Sequence, residues 1–267
     1  MFKIVFFDLD GTLLTTQKEV LEENKKAIKN ALDNGIEVCI CTGRQKTAAR
    51  HYQEMAGAGR YIICANGAEI YDTKDNEELF KCTLEKDFAL NMYEFAIENK
   101  LAIRVDTQYG RYVNDMRYSI LDDMLMEENY EKFFEENDIL QLSVGAEDSK
   151  VIENIIKNLP SDVKVENRFI TSLIPDKLDM INLINSSVSK GNAILGLCKY
   201  LKIKPEEAMA FGDDLNDISM MNSVYGVAMG NAFDELKNMA KEVVSTTNNE
   251  AGISKILNRI VEERKQS

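Results

Sequence analysis

The stretch "MFKIVFFDLDGTLL" (1–14) decides how the rest of the chain is read. "KIVFF" (3–7) has the unbroken apolar character of a strand buried on both faces, and Asp8, Asp10, Gly11 and Thr12 stand at its exit. Carboxylates seldom enter a core unless a metal ion or a charge partner compensates them. The pair therefore asks for a positive partner from elsewhere in the chain.

Outward from that strand, "EVLEENKKAIKNALDNG" (19–35) carries apolar residues at helical spacing and closes on Gly35. "IEVCICTG" (36–43) returns to strand, "KTAARHYQEMAGAG" (46–59) to helix, and "RYIICANGAEI" (60–70) gives a further strand with a turn at Asn66-Gly67. This alternation predicts βαβαβ and a parallel sheet. From "EELFKCTL" (77–84) to "RFITSLIP" (168–175), short strands mix with helical stretches, which predicts a separate α+β unit over roughly 80–185. The parallel rhythm resumes with helix "KGNAILGLCKYL" (190–201), strand "EEAMAFGD" (206–213), helix "DLNDISMMNSV" (214–224) and strand "YGVAMGN" (225–231). The expected fold is α/β: a doubly wound, mainly parallel Rossmann-like sheet interrupted by an inserted α+β domain.

The 267 residues carry 45 acidic and 32 basic side chains, a net charge of −13. That field repels nucleic acid and anionic membrane surfaces, but screening beyond about 8 Å leaves a local cationic site free to bind a small anion. Cys39, Cys41, Cys64, Cys82 and Cys198 show no metal-knuckle or CxxC spacing and are expected as reduced thiols in a cytoplasmic compartment. Asp8 and Asp10 interrupt the apolar opening, so it does not read as a signal peptide. No run approaches the roughly 20 apolar residues that span a bilayer.

In an open parallel sheet, ligands bind beyond the carboxyl ends of the strands. Four distant segments fall there: Asp8 to Thr12, Thr42 to Arg44, "GDDLND" (212–217), and Lys190 at the start of a helix. Two carboxylates 4 Å apart repel by roughly 4 kcal/mol at an effective dielectric near 20, so a rim holding three or more requires a cation. Oxygen donors without paired His or Cys point to Mg2+, with Lys190 as a fixed charge beside it. Asp8 is the natural nucleophile toward a phosphoryl group, with Asp10 as proton donor and later base. Thr42 offers a hydroxyl to a phosphoryl oxygen, and Asp213 is a metal ligand. Asp214 is read as binding metal directly or through water, and Asp217 as orienting Lys190 or a water. His51, the only histidine, falls on a helix away from the rim. Asn66-Gly67 reads chiefly as a turn, "TNNEAG" (247–252) as a loop with at most a remote contribution, and "EENYEKFFEEND" (127–138) as a solvated acidic helix face. Met116, Met124 and Met126 suggest packing or a soft apolar surface, and Arg104, Tyr109, Arg111 and Tyr112 are candidates for leaving-group contact.

Taken together, "DLDGTLL" (8–14), "CTGR" (41–44), "SKGNA" (189–193) and "GDDLNDISMM" (212–221) resemble the haloacid dehalogenase-like hydrolases, specifically their Cof-type phosphatases, whose cap is inserted between the second and third motifs. The resemblance implies Asp8 as the nucleophile that forms an aspartyl-phosphate and Asp10 as the acid/base. It implies Mg2+ held by the Asp8 side chain, the Asp10 carbonyl and the Asp213 side chain. Thr42 and Lys190 would hold the phosphate, with Asn216 close to it. Residues 1–81 and 187–267 would form the catalytic core and 82–186 the cap. Ala251 and Asp214 depart from residues common in such relatives. The implied activity is hydrolysis of a small soluble phosphorylated metabolite, a sugar phosphate or nucleotide-like cofactor. A sugar phosphomutase or a non-hydrolytic phosphate-signalling protein is the alternative. Neither nucleic acid nor membrane is an expected partner, and the expected assembly is a monomer or weak dimer.

Overall fold

Ile4–Phe7 forms β1, and all four of its side chains are buried because both faces of the strand are covered. The computed structural model describes residues 1–119, 124–126, 129–171 and 177–266. After β1 come α1 (Glu22–Asp33), β2 (Glu37–Cys41), α2 (Lys46–Ala56), β3 (Tyr61–Cys64), β4 (Glu69–Asp72) and β5 (Glu77–Lys81). A second group follows: α3 (Lys86–Glu98), β6 (Ala102–Thr107), β7 (Arg111–Val113), β8 (Met124–Leu125), α4 (Tyr130–Glu136), β9 (Ile139–Ala146), α5 (Ser149–Lys157), β10 (Val163–Ile170) and β11 (Asp179–Asn185). The chain ends with α6 (Lys190–Tyr200), β12 (Ala208–Gly212), α7 (Ile218–Ser223), β13 (Tyr225–Ala228), α8 (Asp234–Met239), β14 (Glu242–Val243) and α9 (Gly252–Lys265).

The chain divides into two compact units, Met1–Lys81 with Val188–Ser267, and Cys82–Ser187. In the first, eight strands lie in the order β14-β13-β12-β1-β2-β3-β4-β5. The pairs from β14 to β3 are parallel, and β4 and β5 continue the sheet antiparallel. From β1 the chain winds one way to β2 and β3, and from β12 the other way to β13 and β14. The strand order thus reverses between β1 and β12, the position at which doubly wound sheets open a crevice. Alternation along β1 feeds two cores. Val5 and Phe7 pack with Ile28, Ala49 and Ile253 of α1, α2 and α9, whereas Ile4 and Phe6 pack with Ile194, Met220 and Leu236 of α6, α7 and α8.

In the second unit, six strands lie in the order β10-β11-β9-β6-β7-β8. Ile103 and Val105 of β6 join Leu142 and Val144 of β9 in one core, which Ala89 and Tyr93 of α3 and Ile152 of α5 cover. The unit's two ends adjoin, with Cys82 Sγ 3.4 Å from Ser187 Oγ.

Several readings change. The strand in "EELFKCTL" is β5 and extends the core sheet, since its main chain pairs with β4. The stop of α1 agrees with the spacing: the helix ends at Asp33, Asn34 caps it, and Gly35 follows in the left-handed region. "EENYEKFFEEND" is not merely a solvated face: α4 buries Phe133 and Phe134, while residues 127 and 128 lie outside the described residues. So do residues 172–176, including the end of "RFITSLIP". Tyr112 packs edge-on to Phe133 within the insert, at 4.6 Å between ring centroids, whereas Tyr109 is exposed. Met126 is buried, and Met116 and Met124 are exposed. The five cysteines are free thiols. Among the described residues no helix is long and apolar enough to cross a membrane.

Candidate active site

The register of β1 against β12 pairs Phe7 with Phe211, and the Asp8 amide donates to the Phe211 carbonyl at 3.0 Å. The next residues on these neighbouring parallel strands leave the sheet together, so Asp8 and Asp213 arrive at the same end. Carboxylate oxygens of Asp8, Asp213 and Asp217 all lie within 4.8 Å of one another.

Lys190 sits among them. It is the first residue of α6, whose start is fixed by the Ser189 hydroxyl accepting from the Asn192 amide at 3.0 Å. A cation at a helix N-terminus opposes the helix dipole, and this side chain is fully buried, so it needs strong compensation. Lys190 Nζ donates to Asp8 Oδ1 and to Asp217 Oδ1, each at 2.6 Å. Asp217 Oδ2 in turn accepts the amides of Asp213 and Asp214, at 3.0 and 3.2 Å. Gly191 allows the start of α6 to close on α7, because a Cβ there would strike the Ser219 backbone.

Thr12 Oγ1 donates to Asp213 Oδ1 at 2.6 Å. Gly11, at φ +82°, lets the chain turn there, and the Asp213 carboxylate fills the space that a Gly11 side chain would occupy. Burial pushes the Asp8 carboxyl up to about 8 despite the attraction of Lys190, with Asp217 and Asp213 adding repulsion. Burial likewise pushes Asp213 up to about 7, against the Thr12 hydrogen bond. Burial alone would lower Lys190, but the charges of Asp217 and Asp8 outweigh it and hold the ammonium protonated above its ordinary value.

Asp10 is placed differently. Its carboxylate accepts Arg44 Nε at 2.6 Å, Arg44 Nη2 at 2.7 Å and Lys18 Nζ at 2.5 Å. Burial would raise its pKa, but these hydrogen bonds outweigh that effect and hold it at about 2. Thr42 is buried directly after β2, and its Oγ1 accepts the Arg44 amide at 3.1 Å. Asn216 Nδ2 donates to Asn66 Oδ1 at 3.2 Å, so the turn at Asn66 reaches the "GDDLND" loop. Asp214 turns away to accept the Leu215 amide at 2.6 Å and is exposed. His51 is exposed on α2 beside Tyr52.

The fold therefore brings Asp8, Lys190, Asp213 and Asp217 together, sets Asp10 on two cations, and leaves the Asp214 side chain outside the cluster. From sequence, Arg44 reads only as part of a rim segment, and nothing singles out Lys18. Lys18 comes from a turn at positive φ for which the sequence carries no periodic or spacing signal.

A family model of haloacid dehalogenase-like hydrolases matches residues 5–257. The chain belongs to this family. Phosphatase YwpJ of Bacillus subtilis is 29% identical to this hydrolase, over 97% of this chain and all of that one. The 5-amino-6-(5-phospho-D-ribitylamino)uracil phosphatase YcsE of the same organism is 29% identical, over 96% of this chain and 94% of its own. Among solved structures, BT1666 from Bacteroides thetaiotaomicron, described among phosphatases of this superfamily, superposes with a TM-score of 0.81 at 25% identity, covering 97% of this chain and 95% of that one.

With all three carboxylates ionised, the hydrolase's cluster would carry two negative charges beyond its one ammonium, an excess that protonation relieves when no metal is bound. A divalent cation would balance that excess, and an all-oxygen donor set suits a hard ion. Asp217 has both oxygens committed to Lys190 and the two amides. Among the described residues, no hydrogen bond reaches Oδ2 of Asp8 or of Asp213, so those two carboxylates fit the ion best.

Proposed function

We propose that this hydrolase is a Mg2+-dependent phosphatase that cleaves phosphomonoesters through an aspartyl-phosphate on Asp8. The observation that carries the reading is the buried Lys190 bridging Asp8 and Asp217 at 2.6 Å each, with Asp213 alongside. The side chains of Asp8 and Asp213 and the Asp10 carbonyl would hold the ion. When bound, it offsets negative charge on the phosphoryl oxygens and the carboxylates.

An Asp8 carboxylate oxygen attacks phosphorus, the bond from phosphorus to the leaving oxygen breaks, and that oxygen takes a proton from Asp10. Water then attacks the acyl phosphate, Asp10 accepts its proton, and inorganic phosphate departs with Asp8 restored. Lys190 orients Asp8 and places a positive charge beside the transferring group, and Asp217 orients Lys190. The Thr42 hydroxyl and Asn216 are the neutral donors assigned to phosphoryl oxygens. Asp10 in its present ion pairs is a carboxylate, so donating a proton requires its release from Arg44 and Lys18.

The substrate class is a small phosphorylated metabolite, a sugar phosphate or nucleotide-like cofactor. The activity named for the ribitylaminouracil relative supports it. Leaving-group selection is assigned to the insert as a cap. The test is phosphate release from a panel of phosphomonoesters with and without Mg2+, beside Asp8→Asn. Metal-dependent release that disappears in Asp8→Asn is expected, whereas release unaffected by the substitution overturns the nucleophile.

A further inference from the structure

Two asparagines outside the acidic cluster grip the backbone of the loop that carries Asp8 and Asp10. Asn231 follows β13 and Asn248 follows β14, in the "TNNEAG" segment. Asn231 Nδ2 donates to the Gly11 carbonyl at 2.8 Å, and its Oδ1 accepts the Asn248 amide at 2.9 Å. Asn248 Nδ2, buried, donates to the Leu14 carbonyl at 2.7 Å. The turn that carries Asn231 also reaches the second acidic loop, through its main chain. The Met229 amide donates to the Gly212 carbonyl and the Phe233 amide to the Asp213 carbonyl, each at 3.0 Å. One five-residue segment, Met229–Phe233, thus bonds to both loops whose carboxylates converge.

We propose that Asn231, locked by Asn248, is a positioning residue that fixes the separation of Asp8 and Asp213 and so sets the affinity of the pocket for a divalent cation. The proposal rests on the reading of those two carboxylates as metal ligands. A small hard cation demands ligand oxygens at about 2.0–2.1 Å in near-octahedral geometry and tolerates little displacement. The ligands here stand on loops, the more mobile part of such a sheet, so their spacing must be imposed from outside. The Gly11 carbonyl is the leverage point: its Cα abuts the Asp213 carboxylate, and any shift of Gly11 moves Asp8 relative to Asp213. Asn231 gives one hydrogen bond and receives another from a single rigid plane, which an amide side chain can do and a carboxylate cannot. Aspartate at this position would set a negative oxygen against the Gly11 carbonyl.

The experiment titrates the full-length protein with Mn2+ alone, following free Mn2+ by electron paramagnetic resonance, and records metal-free thermal unfolding for each protein. Asn231→Ala is expected to weaken Mn2+ binding by about tenfold or more, the range typical of groups that hold metal ligands in place. Asn231→Asp, which keeps the volume but replaces the donor with a negatively charged oxygen facing the Gly11 carbonyl, is expected to weaken it at least as much. A purely structural role would lower the unfolding temperature and leave Mn2+ affinity where it was. Affinity within twofold of the unsubstituted protein in both variants overturns the clamp alone. Failure of the unsubstituted protein to bind Mn2+ overturns the metal reading, and the clamp with it.

Discussion

Asp10 and Arg44 are joined by two hydrogen bonds, Nε to Oδ2 at 2.6 Å and Nη2 to Oδ1 at 2.7 Å. A bidentate pair of this kind stabilises the carboxylate over the acid. Arg44→Ala should therefore raise the Asp10 pKa from about 2 toward 3.8, its ordinary value, as measured by carbon-13 NMR of the labelled carboxyl. Because the folded-state value is depressed, the pair stabilises the fold above the unfolded pKa, and that contribution is lost as pH falls toward 2. Thermal melts of Arg44→Ala should accordingly vary less between pH 4 and 2 than those of the parent. An unmoved Asp10 titration would mean that Lys18 alone sets its charge.

Removing Lys190 has a different consequence, since it strips the cation from two buried carboxylates. Lys190→Met should destabilise the metal-free protein by about 3–5 kcal/mol at neutral pH, measured by urea unfolding. A loss below about 1 kcal/mol would show that the cluster is accommodated without the ammonium.

The acidic cluster also fixes how stability depends on pH. Asp8 and Asp213 have folded-state pKa values raised to about 8 and about 7, so the folded state holds protons that the unfolded chain has released. Stability then falls as pH rises from about 4 to 8. In chelator, the unfolding temperature should decline across that window. Mg2+ should restore it progressively more at higher pH, because binding requires deprotonated ligands. A melting curve that rises with pH in chelator would contradict this.

At Gly11, a methyl group would have to occupy the space of the Asp213 carboxylate, at a backbone angle of +82°. The left-handed conformation alone costs an alanine roughly 1–2 kcal/mol. Gly11→Ala should lower the unfolding temperature and weaken Mn2+ binding together, in calorimetry and metal titration on one preparation. Unchanged binding would show that Asp213 relocates without penalty.

Much of the core was legible because the same physics writes both pattern and place. Apolar runs such as "KIVFF" mark strands covered on both faces, and polar residues directly after them fall at the strand ends. That logic brought Asp8, Lys190, Asp213 and Asp217 into one hypothesis. The ion pairs of Asp10 were not legible, because Lys18 and Arg44 come from separate turns whose side-chain directions no periodicity records. Asn231 and Asn248 escaped for a related reason: a side-chain amide bonded to a distant carbonyl leaves no trace in spacing. In the insert, the many acidic residues of "EENYEKFFEEND" read as a solvated face, yet α4 is anchored by the buried Phe133 and Phe134, with Tyr130 packed on Tyr93 beside them.

Cys82 and Ser187 lie side by side, so the insert leaves the core and returns to it at one point. Closing a longer excursion from that point costs the chain only about 0.6 kcal/mol for each doubling of its length. The junction therefore places little entropic demand on the length of what is inserted there, and no strand of the eight-stranded sheet is drawn from the inserted unit.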